Sequence, residues 1–293
     1  MSRIVSLHDR SRLERRLRRD PDLHVYSLGD LDDRYFPHTL WFGLEEDGEL
    51  AEVALLYIGG SLPTLLALCE ESTGATGRMR GLLRGIGHLL PERFYAHLTP
   101  GVADGLPPRF RELPHGFHLK MALRPGDATR VRPDQEGRTR ESKGMPAELP
   151  AADAEDKAGI REGEIVTLGP SDLRELRSFY ERAYPETFFA PASLETGFVL
   201  GLREEGDLRA VAGVHVVSPA LRVAALGNVA TLPEHRGRGL ARRVCAALIA
   251  SLEPVADHIG LNVASHNESA IACYRRLGFR EVARYEEATF EKA

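Results

Sequence analysis

From Arg124 to Arg161 the chain reads RPGDATRVRPDQEGRTRESKGMPAELPAADAEDKAGIR, with no aromatic residue, few aliphatic ones and much proline, glycine and mixed charge. Such a stretch cannot bury enough apolar surface to offset the conformational entropy lost on ordering. It is read as a mobile linker, and it divides the 293-residue chain in two. Residues 1–123 and 162–293 are then two domains of ordinary size, which suits a chain of this length.

The second segment has the clearer pattern. EIVTLG (164–169) reads as a strand, and PSDLRELRSFYERAYP carries leucines and Phe179 at helical spacing. GFVLGLREEGDLRAVAGVHVVSP reads as two strands around a Glu-Glu-Gly-Asp turn, and LRVAALGNVATL as a third ending at Pro233. GLARRVCAALIASLEPV is a strong helix with Leu240, Val244, Ala247 and Leu248 on one face. Strand HIGLNVAS, helix NESAIACYRRLG (stopped by Gly278) and the terminal strands FREVARYEEATFEKA complete the order. The fold class is α/β (α+β), a mixed and mostly antiparallel sheet flanked by helices.

The first segment repeats this order less clearly. Leu13 and Leu17 mark an amphipathic helix, TLWFGLEEDGELAEVALLYIGG and PTLLALCE form a strand meander, and GRMRGLLRGIGHLL takes the place of the central helix. RFYAHLT follows as a strand. HGFHLKMALR parallels LGFREVARYEEATF, with Gly116-Phe117 matching Gly278-Phe279, so a structural duplication is expected.

PEHRGRGLARRV (233–244) is the most specific stretch. A strand ending near Thr231, a turn through Arg236-Gly237-Arg238-Gly239 and a helix from Leu240 form a concave array of backbone N–H groups, to which the helix dipole adds. Glycine permits positive φ and removes the Cβ that would keep a phosphate away. Arginine can pair with phosphate oxygens in a planar fork. These pieces suit a pyrophosphate, although a solvated basic loop would look the same. No Lys-Ser or Lys-Thr follows the glycines as a P-loop requires, and Arg242 stands where a dinucleotide fingerprint needs its third glycine.

RGRGLA (236–241) matches the Arg/Gln-x-x-Gly-x-Gly/Ala signature of the GNAT acyltransferases, and NVATLPEH resembles the end of that family's fourth strand. LNVASHNESAIACYRRLGF resembles its second motif through Asn267, Ala270, Tyr274, Gly278 and Phe279. The resemblance covers about 162–290. The first segment keeps Arg78 and Gly81 but has Leu83 where the signature wants Gly or Ala, and thus resembles a degenerate copy.

The resemblance implies an N-acetyltransferase that takes acetyl-CoA, or another acyl-CoA, as co-substrate without a metal. Backbone groups of Val229, Ala230 and Thr231 would hold the pantetheine arm and acyl carbonyl. Arg236, Gly237, Arg238, Gly239, Leu240 and Ala241 would hold the pyrophosphate, and Asn267 and Ala270 would lie by the CoA arm. Tyr274 is the implied general acid for the leaving thiolate. The implied fourth strand carries no acidic residue to act as base, so His215 and Asn228 are the polar catalytic candidates for the cleft, with an ordered water chain as the alternative route for the ammonium proton. Glu186, Glu286 and Glu287 are candidates for recognising a cationic acceptor, with a solvated face as the plainer reading. Asp30, Asp32 and Asp33 read as an acidic turn with capping roles, metal binding being the alternative.

The formal net charge of −5 opposes general nucleic-acid binding despite the arginine clusters. No apolar run approaches the ~20 residues of a membrane span, and the basic N-terminus lacks a signal peptide's apolar core. A soluble cytoplasmic protein acting on a small-molecule or peptide amine is expected. Cys69, Cys245 and Cys273 form no metal-ligand or disulfide pattern and are read as buried free thiols. A non-catalytic acyl-CoA sensor built on the same pocket is the alternative.

Overall fold

The computed structural model describes residues 2–124, 163–187 and 189–293, so the expected linker lies, but for Arg124, outside the described residues. The first segment runs β1 (Ser2–Leu7), α1 (Arg10–Leu17), α2 (Val25–Gly29), β2 (Thr39–Glu46), β3 (Glu49–Tyr57), β4 (Thr64–Ala67), α3 (Thr73–Ile86), β5 (Arg93–Leu98) and β6 (Phe110–Leu123). The second runs β7 (Glu164–Thr167), α4 (Leu173–Ala183), β8 (Leu200–Glu204), β9 (Asp207–Ser218), β10 (Val223–Thr231), α5 (Leu240–Leu252), β11 (His258–Ala264), α6 (Glu268–Arg276) and β12 (Arg280–Lys292). The expected terminal strands are one long strand, β12, bent by register shifts near Val282 and after Glu287.

Among the described residues all twelve strands form one sheet in the order β1-β2-β3-β4-β5-β12-β6-β11-β10-β9-β8-β7. Only β4–β5 and β10–β11 pair in parallel, so the sheet is mixed and largely antiparallel, as the sequence pattern implies. The final strand of each segment is exchanged. β12 pairs with β5 of the first segment, β6 pairs with β11 of the second, and the two exchanged strands pair with each other from Phe110–Lys292 to Ala122–Arg280.

Strand alternation divides the apolar side chains between the two faces. On one face α3, α5 and α6 bury Met79, Leu83, Val244 and Leu248 against the sheet. On the other, α1 and α2 bury Leu13, Leu17, Val25 and Leu28 against Trp41 and Leu55, and also against Val216, Val223 and Ala225 of β9 and β10. One hydrophobic core thus draws on both segments.

Asp22 ties the same junction with charge. It is 6% exposed and accepts from Arg124 (3.1 Å) beyond β6 and from Arg280 (2.5 Å) on β12, with His258 Nδ1 on β11 at 2.7 Å. Burial works against its ionisation, but the bonds from His258 and Arg124 outweigh it and hold the pKa below the usual aspartate range. A depressed carboxylate pKa gives stability that is present above the unfolded value and lost as pH falls through the folded one. Asp22→Asn is therefore expected to destabilise the fold by about 2–3 kcal/mol at pH 7. Urea unfolding should show that difference shrinking towards pH 3.

Candidate active site

β10 and β11 pair only from Val223–His258 to Leu226–Leu261, although both continue further. Beyond Leu226 the strands splay, and the β11 side of Gly227 to Thr231 has no ladder partner. A register shift against β9 between Gly227 and Ala230 bends β10 away. Asn228 sits in that bulge at φ 55°, an uncommon value outside glycine that asparagine tolerates better than most. Tyr180 of α4 donates to its carbonyl (2.7 Å) and Thr187 donates to its Oδ1 (3.0 Å). Asn228 is thus the braced corner of the gap.

At the end of the splayed strand stands the Gly-rich turn. Gly237 and Gly239 have φ 79° and 77°, and no atom lies within 4 Å of where a Cβ would be. Gly239 is the N-cap of α5 and offers no capping side chain. The N–H groups from Gly237 to Arg242 find no acceptor among the described residues, so the helix start presents an open row of donors.

The guanidinium groups beside this row are engaged elsewhere. Arg236 donates to the carbonyls of Ala183 (2.9 Å) and Thr231 (3.3 Å), and Arg238 to Glu204 at 2.8 and 3.0 Å. Arg243 donates to the Gly163 carbonyl at 3.0 Å. Arg242 is exposed and makes no hydrogen bond or ion pair with the described residues. Three of the four arginines therefore fix the turn, and its backbone carries the open donors. Leu240 is buried beneath the helix start and Ala241 is half-buried.

Asn267 caps α6, its Oδ1 accepting from Ala270 N (3.2 Å) and Ser269 Oγ (3.1 Å). Tyr274, two turns along, is 8% exposed and meets Phe279 edge-on at 5.9 Å. Its hydroxyl has no hydrogen-bond partner among the described residues. Burial, with Cys245 and Cys273 nearby, raises its pKa well above the phenol value, and Tyr26 and Tyr184 from the opposite face act in the same direction. Cys245 is buried, but Cys273 is only partly so, because it lies on the flank of α6.

His215 lies over Gly227, where a Cβ would come within 2.0 Å of its ring. Solvent reaches its side chain, yet enough protein surrounds the ring to push its pKa down to about 4, against the opposing charge of Glu287. It is a neutral imidazole at physiological pH.

Beside it, across the central strands, runs a polar row of which the sequence pattern singles out Glu287 alone. Tyr95 and His97 on β5, Tyr285 and Glu287 on β12, and His118 and Lys120 on β6 all point to the face of α2. Each pair is spaced i, i+2, and that alternation within otherwise apolar strands is the only local signal. Nothing local reveals that β5, β12 and β6 are neighbours. Glu287, expected on a solvated face, is only 11% exposed.

Asp30 lies one turn after Tyr26, beyond the short helix α2, and its carboxylate makes no hydrogen bond or ion pair with the described residues. Burial raises its pKa to about 7. The stability it contributes is full below the unfolded pKa near 4 and is lost as pH rises through about 7. Asp30→Asn is therefore expected to stabilise the protein by about 2 kcal/mol at pH 8 and by nothing measurable at pH 3. Thermal melts at the two pH values check this.

The first segment lacks both openings. β4 and β5 pair to the end at Ala67–Leu98, and the seam continues through Thr99 N to Ala67 O (3.3 Å) and Cys69 N to Thr99 Oγ1 (2.9 Å). Ser72 caps α3 with its own side chain. A short turn, Val102–Gly105, replaces the helix that carries Tyr274 in the second segment.

Residues 167–279 match the family model described as "Acetyltransferase (GNAT) family". The C-terminal region is accordingly a GNAT-superfamily acetyltransferase domain. A search of curated proteins finds no match. Among solved structures, a protein of Novosphingobium aromaticivorans DSM 12444 assigned to the GNAT family is 23% identical, with 82% of this chain and 88% of that one covered and a TM-score of 0.53. A GCN5-related N-acetyltransferase from Sphaerobacter thermophilus is 14% identical over 98% and 95% of the two chains, with a TM-score of 0.54. A tandem GNAT protein from the clavulanic acid biosynthesis pathway is 16% identical over 99% and 98%, with a TM-score of 0.53. At these identities the likeness is one of fold. Among the described residues no helix is long and apolar enough to cross a membrane, and no group of three or more His, Cys, Asp or Glu could hold a metal ion.

Proposed function

We propose that the chain is an acyl-CoA-dependent N-acyltransferase that moves acetyl from acetyl-CoA to a primary amine by direct attack in a ternary complex. The observation that carries this reading is the pairing of a splayed β10–β11 gap with an uncapped row of N–H donors at α5, on the segment that bears the family match. The equivalent gap of the first segment is zipped and its helix capped, which supports reading that segment as a degenerate copy.

The residues present fit the donor. The N–H row from Gly237 to Arg242 suits a pyrophosphate, and the unpaired edge of Gly227 to Thr231 suits an extended arm. When bound, acetyl-CoA supplies an activated acyl thioester. The chain's part is to align the reactants, offer backbone dipoles where negative charge grows and return a proton to sulfur. Tyr274 is the proposed proton donor, since burial keeps its phenol protonated and its hydroxyl is unengaged. His215, neutral at physiological pH, lines the cleft as a hydrogen-bonding wall. Asn228 keeps β10 bent, and Asn267 keeps the start of α6 in place.

The test is calorimetric titration with acetyl-CoA, followed by thiol-release assays across primary amines. Saturable binding and amine-dependent release of CoA are expected. Binding without turnover on any amine would replace the enzyme by a sensor, and absence of binding would remove both.

A further inference from the structure

Glu287 carries a charge that the protein leaves incompletely paired. Tyr95 and Tyr285 each donate a hydrogen bond to it, the latter at 2.6 Å. Two imidazole nitrogens, His97 Nε2 at 3.4 Å and His118 Nε2 at 3.3 Å, stand near, but neither is aligned to hydrogen-bond. Burial pushes the His97 pKa down to about 4, so His97 is neutral at physiological pH. The nearest ammonium, Lys120, is directed elsewhere, to Asn262 Oδ1 at 3.2 Å and over the rings of Tyr26 and Tyr285 at 4.6 and 5.4 Å.

A carboxylate can accept about four hydrogen bonds, and Glu287 receives two. Burial disfavours its ionisation, yet the imidazoles and the two phenol bonds outweigh that and lower its pKa, so it stays an anion. Keeping a partly desolvated anion short of its full set of hydrogen bonds is costly unless a further donor is supplied. The Nδ1 atoms of His97 and His118 are also buried without partners, so the shell around the carboxylate is unsatisfied as it stands.

The position of Glu287 connects this site to the gap. Tyr184, an exposed aromatic after α4, lies close enough to act electrostatically on Tyr274, Tyr95 and Glu287. His215 at the edge of the splay feels the same carboxylate. From Lys120 the row passes to Tyr26, whose ring centroid is 6.3 Å from that of His215.

We propose that Glu287 holds the ammonium group of the acceptor, in a subsite built by both segments across the exchanged strands, and that the acceptor is a small cationic primary amine. The tyrosine rings around the carboxylate give its carbon skeleton an apolar wall. This rests on the acyltransferase reading for its role but not for its detection.

The probes are n-butylamine, phenethylamine and putrescine, with 2-phenylethanol as the uncharged control, titrated into the full-length protein without acetyl-CoA. At least one amine is expected to bind and to shift the imidazole NMR signals of His97 and His118, while the alcohol does neither. Glu287→Gln should weaken amine binding at least about tenfold, with acetyl-CoA affinity within about twofold and Glu287→Asp recovering part of the loss. Failure of all three amines to bind, or shifts in wild type that the alcohol reproduces, would overturn the subsite whether or not the variant folds. Amine binding without acetyl-CoA affinity would instead sink the acyltransferase reading and leave the subsite standing.

Discussion

Tyr274→Phe is expected to lower the maximal rate of CoA release about a hundredfold while changing acetyl-CoA affinity less than about twofold. The ring stays in the core formed by α5, α6 and the sheet, so its packing is kept. The hydroxyl has no protein partner among the described residues, so its removal breaks no bond that holds the fold. What disappears is the one phenol hydroxyl that α6 carries, buried and unengaged. Because burial holds that phenol protonated, it can give a proton at neutral pH but cannot readily accept one, which fits an acid and not a base. Pre-steady-state rates should show acyl transfer itself slowed. Unchanged turnover, with transfer shown to limit the rate, would remove Tyr274 from the chemistry.

Gly239→Val should weaken acetyl-CoA binding at least about tenfold, since a branched side chain would fill the space over the open N–H row. The same change places a β-branched residue at φ 77°, which costs about 1–2 kcal/mol of stability on its own. Gly48→Val separates the two effects. Gly48 has φ 87° and nothing within 4 Å of where a Cβ would be, but lies in the β2–β3 hairpin far along the chain from the turn. Both variants should lose similar thermal stability, and only Gly239→Val should lose acetyl-CoA affinity. Equal affinities would mean that the donor's pyrophosphate is held somewhere else.

The turn itself was largely legible in the chain. Strand, Gly-x-Gly and amphipathic helix have local signatures, because caps, positive φ and helical periodicity are set by neighbours in sequence. The division of labour within RGRG was not, since Arg236 and Arg238 are occupied by Ala183 and Glu204, partners distant in the chain. Asn228 illustrates the same limit. Its polarity is visible in sequence, whereas its task of bracing a bulge depends on Tyr180 and Thr187.

By itself the sequence determined the main strands and helices and the Gly-x-Gly turn at the start of α5, all properties of short-range pattern. Only the tertiary structure decided that β6 and β12 change places, because strand partners are chosen by long-range register and burial that no local window contains. That exchange brings Tyr95, His97, His118 and Glu287 onto one face, three of them drawn from the segment whose own gap is closed.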